Sequence, residues 1–329
     1  MKLQITKDDP LGILASTKPV VEQAHFVLIH DDKLEVLAKG VIERFNKGLD
    51  SQELGFGSAG NLTDDIQLIF IEDTVNFCFW PDKGQPKWEV EWPDQNTVAG
   101  GWYGLVACFK RGLTEKIPIL DADYLSELTA EQARQFFRGK NGVDIPLLDE
   151  RVQNLREAGK ILREKFYGRF ENMLKSSGYN SVSIVNAVIE NFPSFKDVSQ
   201  FNGQEIRFLK RAQIYPNDLA YALKGTDTSI ANLDKLTAYA DYKLPQVLRA
   251  FGVLEYERSL AERVDDLIEI PHDSAEEIEI RSATIWAIEL LRQKIGKLTA
   301  GEIDNTIWLM SQTMQNESKP YHRTRTIFY

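Results

Sequence analysis

Apolar residues recur at intervals of three and four along much of the chain, with polar or glycine stops between the runs. Leu34, Leu37, Ala38, Val41, Ile42 and Phe45 follow this spacing after Asp31-Asp32 and give out before Gly48, which predicts an amphipathic helix. A longer helix is predicted over residues 147–174, where Leu148, Val152, Leu155, Leu162, Phe166, Phe170 and Met173 track one face and charged residues the other. Three helix starts carry capping-box spacing: Thr129 with Gln132, Ser274 with Glu277, and Thr299 with Glu302. Pro245 at a first-turn position and Gly252 just beyond the end bracket a short helix over residues 245–251. Strand signals are confined to the first third. Residues 66–71, residues 75–80 and the alternating Trp88-Glu89-Val90-Glu91-Trp92 predict a small antiparallel meander. The fold class is therefore mainly α with a minor β element in the N-terminal third. No repeat or low-complexity linker divides the chain, so one compact domain over residues 1–329 is expected, with two lobes at about 1–145 and 146–329.

Composition narrows the partners. The chain has 329 residues, 43% of them hydrophobic, enough to bury a substantial core. Lys and Arg number 39 against 49 Asp and Glu, a formal charge of −10. Duplex nucleic acid is bound largely through cations that neutralise phosphates, so no duplex partner is expected. The basic groups at Lys210-Arg211 and at His322-Arg323-Thr324-Arg325 suit a single phosphate instead. Cys78 and Cys108 are too few for a disulfide framework and have no zinc-ligand spacing, so both read as reduced and buried, and no metal or cofactor is expected. No stretch has the apolar length of a secretory signal or of a membrane span, about 18 residues, so a soluble, cytoplasmic protein without a membrane partner is expected.

Four segments carry candidate chemistry. Asp241 precedes the Pro245 helix, where the helix dipole favours an ionised carboxylate and Tyr239, Tyr242 and Leu244 shield it; it is either a cap or a reactive acid. Glu279 heads an apolar stripe of Ser282, Ala283, Trp286 and Leu290 and, if buried, needs partners. Asp304 shares a helix face with Trp308, an arrangement that either reads a heterocycle by its edge and face or is a surface acid beside a core indole. Lys210, among Phe208, Leu209 and Ala212, calls for a counter-charge such as Asp241. With the aromatic cluster Phe77-Cys78-Phe79-Trp80, these residues point to a pocket for a small aromatic ligand bearing an anionic group. No zincin, kinase, GxSxG or Rossmann pattern is present.

Several segments, in order along nearly the whole chain, resemble those of the queuosine salvage protein family, the queuosine 5′-phosphate N-glycosylases. They include Asn76-Phe77-Cys78-Phe79-Trp80, Gly101-Trp102-Tyr103, Ile145-Pro146-Leu147-Leu148-Asp149-Glu150-Arg151 and Phe192-Pro193-Ser194-Phe195-Lys196-Asp197. Lys210-Arg211-Ala212-Gln213, Ala240-Asp241-Tyr242-Lys243-Leu244-Pro245-Gln246, Glu279-Ile280-Arg281 and Asp304-Asn305-Thr306-Ile307-Trp308 continue the series, which ends on His322-Arg323-Thr324-Arg325-Thr326-Ile327-Phe328-Tyr329. Tyr239, Lys243 and Tyr321 stand where phenylalanine, arginine and histidine are more usual, departures that bear on fine specificity.

The resemblance implies a helical fold similar to helix-hairpin-helix DNA glycosylases. It also implies cleavage of the N-glycosidic bond of queuosine 5′-phosphate, yielding queuine and ribose 5-phosphate. On that footing Asp241 and Lys210 take the catalytic roles. Asp304 and Glu279 are candidates for reading the base or its diol, and Phe77, Phe79, Trp80, Tyr242 and Trp308 for its walls. His322, Arg323 and Arg325 are further phosphate candidates. The competing readings are a non-catalytic nucleotide- or base-binding protein, a glycosylase acting on nucleic acid, which the charge opposes, and an interaction scaffold.

Overall fold

The computed structural model describes residues 3–49, 54–55, 57–314 and 319–329. Fourteen α-helices occur among the described residues. The N-terminal half holds α1 (Ile13–Glu22), α2 (Leu34–Phe45), α3 (Leu62–Thr74), α4 (Gly101–Thr114), α5 (Ala122–Ser126), α6 (Ala130–Phe136) and α7 (Leu148–Phe166). The C-terminal half holds α8 (Phe170–Ser176), α9 (Ser181–Asn191), α10 (Lys210–Ala222), α11 (Lys243–Ala250), α12 (Arg258–Asp265), α13 (Ala275–Ile295) and α14 (Ala300–Thr313). Six short strands form three antiparallel pairs: β1 (Val27–Ile29) with β6 (Leu254–Tyr256), β2 (Glu89–Glu91) with β3 (Val98–Gly100), and β4 (Val198–Phe201) with β5 (Gln204–Arg207). The mainly α expectation holds.

Helix α13 is the central element. Residues 277–289 are buried on every side, and α1, α2, α11, α14 and β1 pack around them. Elsewhere α3 packs on α10, so helices from the two halves of the sequence share one core. Close approach is paid for in side-chain volume at α5 and α7: a Cβ on Gly159 would lie 2.5 Å from the Ser126 amide nitrogen.

The meander expectation is corrected. Residues 66–71 lie inside α3, whose residues 66–74 are all buried; a helix covered on all sides has no polar stripe, and its apolar run is indistinguishable from a buried strand. Residues 75–80 are irregular. Three of their carbonyls are satisfied by one buried guanidinium rather than by a sheet, and a second guanidinium takes the carbonyls just before them. Arg151 donates to the carbonyls of Val75, Phe77 and Cys78 and lies 4.3 Å from the Phe77 ring centre, while Arg211 donates to those of Asp73, Thr74 and Ser194. Only the alternating Trp88–Trp92 stretch contributes a strand. The long helix over 147–174 breaks into α7 and α8 because Tyr167 (φ 51°) and Gly168 (φ 76°) turn left-handed between them.

The capping boxes at Thr129 and Thr299 are reciprocal. That at Ser274 is half made: its hydroxyl accepts the Glu277 amide, but the Glu277 side chain is drawn to the Tyr329 hydroxyl (2.9 Å) and the Asp273 amide (3.2 Å). Helix α11 begins at Lys243, two residues before Pro245, and ends as expected before Gly252 (φ 70°). Among the described residues no helix is long and apolar enough to cross a membrane. Both cysteines are free and buried.

Candidate active site

A cavity of about 690 Å³ opens where several separated stretches of chain converge, Leu54 and the C-terminal Tyr321 and Tyr329 among its lining residues. The irregular 76–81 segment brings Asn76, Phe77, Phe79 and Trp80, and the β2–β3 hairpin with the start of α4 brings Trp88, Trp102 and Tyr103. Helix α10 contributes Lys210, Ile214 and Asp218, four residues apart on one face. Asp304, Trp308 and Gln312 form the same kind of row on α14. The 239–246 loop and turn add Tyr239, Asp241, Tyr242 and Lys243.

Hydrogen bonds fix the Asp241 loop from three sides. The Thr237 amide donates to Gln213 Oε1 (2.9 Å), the Tyr239 amide to Asp304 Oδ2 (2.7 Å), and Arg281 Nε donates to the Ala240 carbonyl (3.2 Å). Arg281 also grips both oxygens of Asp197 at 2.8 and 2.6 Å, and Asp197 Oδ2 accepts the Lys210 amide at 3.0 Å. One buried, bidentate ion pair thus sets the start of α10 and the residue before Asp241 together. Asp241 Oδ1 accepts the amides of Lys243 (2.7 Å) and Leu244 (2.9 Å), so it is a cap and a cavity residue at once, and its other oxygen takes no part in that cap.

The charge of Lys210 lowers the proton affinity of four buried acids. Lys210 is 5% exposed, and among the described residues no carboxylate oxygen comes within 4.0 Å of its Nζ, although it pulls on Asp73, Asp218, Asp241 and Asp304 alike. Burial raises the Asp241 pKa above the ordinary carboxylate value against the pull of Lys210 and the two amides, so desolvation outweighs the helix dipole expected to dominate. Asp304 is driven well above that value by burial and by the charge of Asp241, against the Tyr239 amide and Lys210. Asp218 is driven well above it too, by burial and then by Asp73. The site therefore sets two acids whose proton affinity is raised strongly beside one, Asp241, raised less. Lys243, its Nζ 4.9 Å from the centre of the Tyr321 ring, is lowered by burial, with Asp241 opposing and Lys87 adding to the fall.

Of the residues singled out from sequence, Asp241, Lys210, Asp304, Phe77, Phe79, Trp80, Tyr242 and Trp308 line this cavity. Glu279, His322, Arg323 and Arg325 are not among its lining residues. The Glu279 carboxylate accepts the amides of His25 (3.0 Å), Phe26 (2.6 Å) and Val27 (3.1 Å), tying β1 to α13. His322 is buried, bonded to the Tyr329 hydroxyl at 3.2 Å, and its pKa is pushed down to about 3 by burial and by Arg281, so it is neutral and no anion ligand. Arg323 donates to the Pro81 carbonyl (3.1 Å), and Arg325 pairs with Asp82 and with Glu269 (2.9 Å). Both guanidiniums lie over the Trp80 ring, at 5.4 and 4.6 Å, and steady that wall from outside the cavity.

Asp218 and Lys87 were not singled out. For Asp218 the signal was its position eight residues after Lys210, on the Ile214 row; for Lys87 there was none. Among the described residues one cluster offers metal-ligand types, His272, Asp273 and Glu277, with ligand atoms within 4.8 Å of one another. Arg281 stands 3.6 Å from Glu277 there, so a cation already holds that carboxylate.

A family model described as queuosine salvage protein matches residues 58–329. A Sphaerobacter thermophilus protein named queuosine 5′-phosphate N-glycosylase/hydrolase is 41% identical over 327 residues, covering 98% of both chains. A Bos taurus protein of the same name is 37% identical over 279 residues (80% of this chain, 81% of the relative). One from Schizosaccharomyces pombe is 28% identical over 345 residues (94% and 99%). The match to the family model spans most of the cavity's contributing segments, and the chain belongs to the queuosine salvage protein family.

Proposed function

We propose that this protein hydrolyses the N-glycosidic bond of queuosine 5′-phosphate, releasing queuine and ribose 5-phosphate, and that it does so in the cavity around Asp241. The observation that carries the reading is the pairing, in one aromatic-walled cavity, of Asp241 with a second buried acid, Asp304, of much higher proton affinity. Relatives bearing that activity in their names support it.

The base is a 7-deazaguanine, with carbon where other purines carry the nitrogen that is protonated to loosen the leaving group. Cleavage then depends on stabilising the sugar as its C1′–N9 bond breaks, with the electron pair departing on the base. Ionised Asp241 faces the cation developing on the ribose. It serves as electrostatic stabiliser, as nucleophile or as base for the attacking water; trapping with methanol sets the nucleophile apart from the other two, because a covalent intermediate returns the retained anomer. Neutral Asp304, its Oδ2 fixed by the Tyr239 amide, has its remaining oxygen available to donate a proton to the ring edge as negative charge collects there. Phe77, Phe79, Trp80, Tyr242 and Trp308 wall the ring. Lys210 steers Asp241. The phosphate goes to Lys243 and Lys87, cavity cations with no carboxylate within 4.0 Å among the described residues. A dianion there would restore the charge that burial disfavours on Lys243, and binding energy far from the scissile bond is available to position the sugar.

Incubation with queuosine 5′-phosphate and chromatography of the products tests the reading: free queuine is expected, and none above a heat-inactivated control refutes it. Binding without release would instead fit a nucleotide-binding protein. Lys243→Ala is expected to raise KM at least tenfold with kcat less affected, the pattern of a lost phosphate contact.

A further inference from the structure

Asp218, on the cavity-facing row of α10, has no task in the chemistry above. It is 4% exposed. Its Oδ1 accepts a hydrogen bond from the side-chain amide of Asn217 (3.1 Å), and its Oδ2 has no hydrogen-bond partner among the described residues. Asn217 is itself confined by α14, since a Cβ on Gly301 would lie 2.8 Å from its Oδ1. No Lys, Arg or His nitrogen among the described residues comes within 4.0 Å of the Asp218 carboxyl group. Lys210 opens the same helix, but eight residues at about 1.5 Å each separate the two by roughly 12 Å along its axis. The other buried acids of the cavity are engaged by main-chain amides, Asp241 by those of Lys243 and Leu244 and Asp304 by that of Tyr239. Glu89 on β2 also lines the cavity without an ion pair among the described residues, but it is partly exposed, where water screens any pairing. Burying a carboxyl group with one neutral donor costs stability. An arriving cation offsets that cost.

Queuosine 5′-phosphate brings such a cation. Its base carries an aminomethyl arm on C7 that ends in the cyclopentenediol, and an alkylamine is protonated at neutral pH. Resting on the glycosidase reading above, we propose that Asp218 is a specificity residue whose free Oδ2 accepts a hydrogen bond from the ammonium of that arm, so that the cavity selects 7-deazaguanine nucleotides bearing a 7-aminomethyl cation. With its other oxygen held by Asn217, the group suits one ammonium hydrogen better than the two parallel donors of a guanine edge. The diol lies beyond the nitrogen and takes no part in this contact. 7-Aminomethyl-7-deazaguanosine 5′-phosphate, which lacks the diol, is therefore a further substrate, and guanosine 5′-phosphate, which lacks the arm, is spared. Hydrolysis of the further substrate is the same step: the C1′–N9 bond breaks, hydroxide from water goes to C1′, and the remaining proton goes to N9 of the freed base.

The test uses two 7-deazaguanosine 5′-phosphates that differ only in the group on C7, aminomethyl or hydroxymethyl. The two match in size, and only the first is charged. For wild type, kcat/KM for the aminomethyl compound should exceed that for the hydroxymethyl one roughly thirtyfold, the scale of one buried charge-assisted hydrogen bond. In Asp218→Asn, which keeps the side-chain volume, that ratio should fall to within about threefold of unity, whereas Glu89→Gln should keep it. Should Asp218→Asn fail to fold, the wild-type ratio and its survival in Glu89→Gln carry the test. The second readout needs no turnover. In calorimetric titrations with the free bases, wild type should bind 7-aminomethyl-7-deazaguanine about tenfold or more tightly than its hydroxymethyl counterpart, and Asp218→Asn should bind the two alike. If wild type releases no queuine from queuosine 5′-phosphate, the glycosidase reading fails and these titrations decide the present proposal. Equal affinities for the two bases in wild type, a wild-type kcat/KM ratio near one, a ratio that survives in Asp218→Asn even as both rates fall together, or a ratio abolished by Glu89→Gln overturns it.

Discussion

Replacing Asp241 by asparagine isolates the charge on which the proposed chemistry depends. The amide oxygen of asparagine can accept the same two backbone bonds, from Lys243 at 2.7 Å and Leu244 at 2.9 Å, so the start of α11 should survive. What is lost is a negative charge in a buried site. A unit pair about 4 Å apart interacts by about 4 kcal/mol at an effective dielectric near 20. A transition state that has developed half to two-thirds of its positive charge loses about 2–3 kcal/mol of that, or roughly thirty- to two-hundredfold in rate. Removing a single preorganised group of this kind elsewhere costs about 10²–10³ in kcat, so a fall of roughly a hundredfold or more is expected. Stability should move the other way. Because burial raises the folded-state pKa of Asp241, its ionised form opposes folding at neutral pH, and Asp241→Asn should melt at the wild-type temperature or above it. Chromatographic queuine release and a thermal melt on one preparation give both numbers. Turnover within a fewfold of wild type from a well-folded variant would remove Asp241 from the chemistry.

Three further outcomes are expected. Glu279→Gln leaves three buried amides facing a weaker, half-mismatched acceptor, and with about 1.5–3 kcal/mol for each charge-assisted bond it should lower the melting temperature sharply while KM of the folded protein is unchanged; a raised KM would return Glu279 to substrate binding. A Cβ on Gly301 would lie 2.5 Å from the Tyr239 hydroxyl, so Gly301→Ala should displace that ring, cost about 1–3 kcal/mol of stability and cut kcat/KM, and an alanine variant with wild-type kinetics would show the wall to be pliant. Glu72, Asp218 and Asp304, held well above ordinary carboxylate values, and Asp73, at about 7, bind protons more tightly folded than unfolded. Their stabilising contribution is whole below the unfolded pKa and is lost as pH rises through the folded one, so from about pH 6.5 upward, above the range in which His322 titrates, the melting temperature should fall. His322, neutral in the fold with a pKa of about 3, has the opposite sign and acts below that window. A flat melting curve across it would contradict the assigned protonation.

Legibility in the sequence followed solvent exposure. Helix α2 and the caps at Thr129 and Thr299 were readable because one side of each faces water and the other does not. Helix α3 was not, since a segment with no wet side loses its period. Asp241 stood out through the proline and glycine that bracket the helix after it, and Asp304 through Trp308 one turn on. Glu279 was correctly marked as a buried acid in need of partners, but those partners are amides some 250 positions earlier, a pairing no local pattern announces. The basic tail at residues 322–325 looked like an anion site for the converse reason: sequence displays charge, while the acids and carbonyls that consume it belong to other segments. Asp218 stayed hidden because its meaning comes from the cavity it lines with Lys210, which exists only once α10 meets distant segments.

The cavity borrows from stretches as far apart as Asn76 and Gln312. Severing the chain between α9 and α10 would therefore yield two pieces, each silent by itself, with Phe77, Phe79 and Trp80 on one and Tyr242, Trp308, Asp241 and Asp304 on the other. Any queuine formed after mixing them would register reassembly, making the molecule a ready template for a complementation sensor.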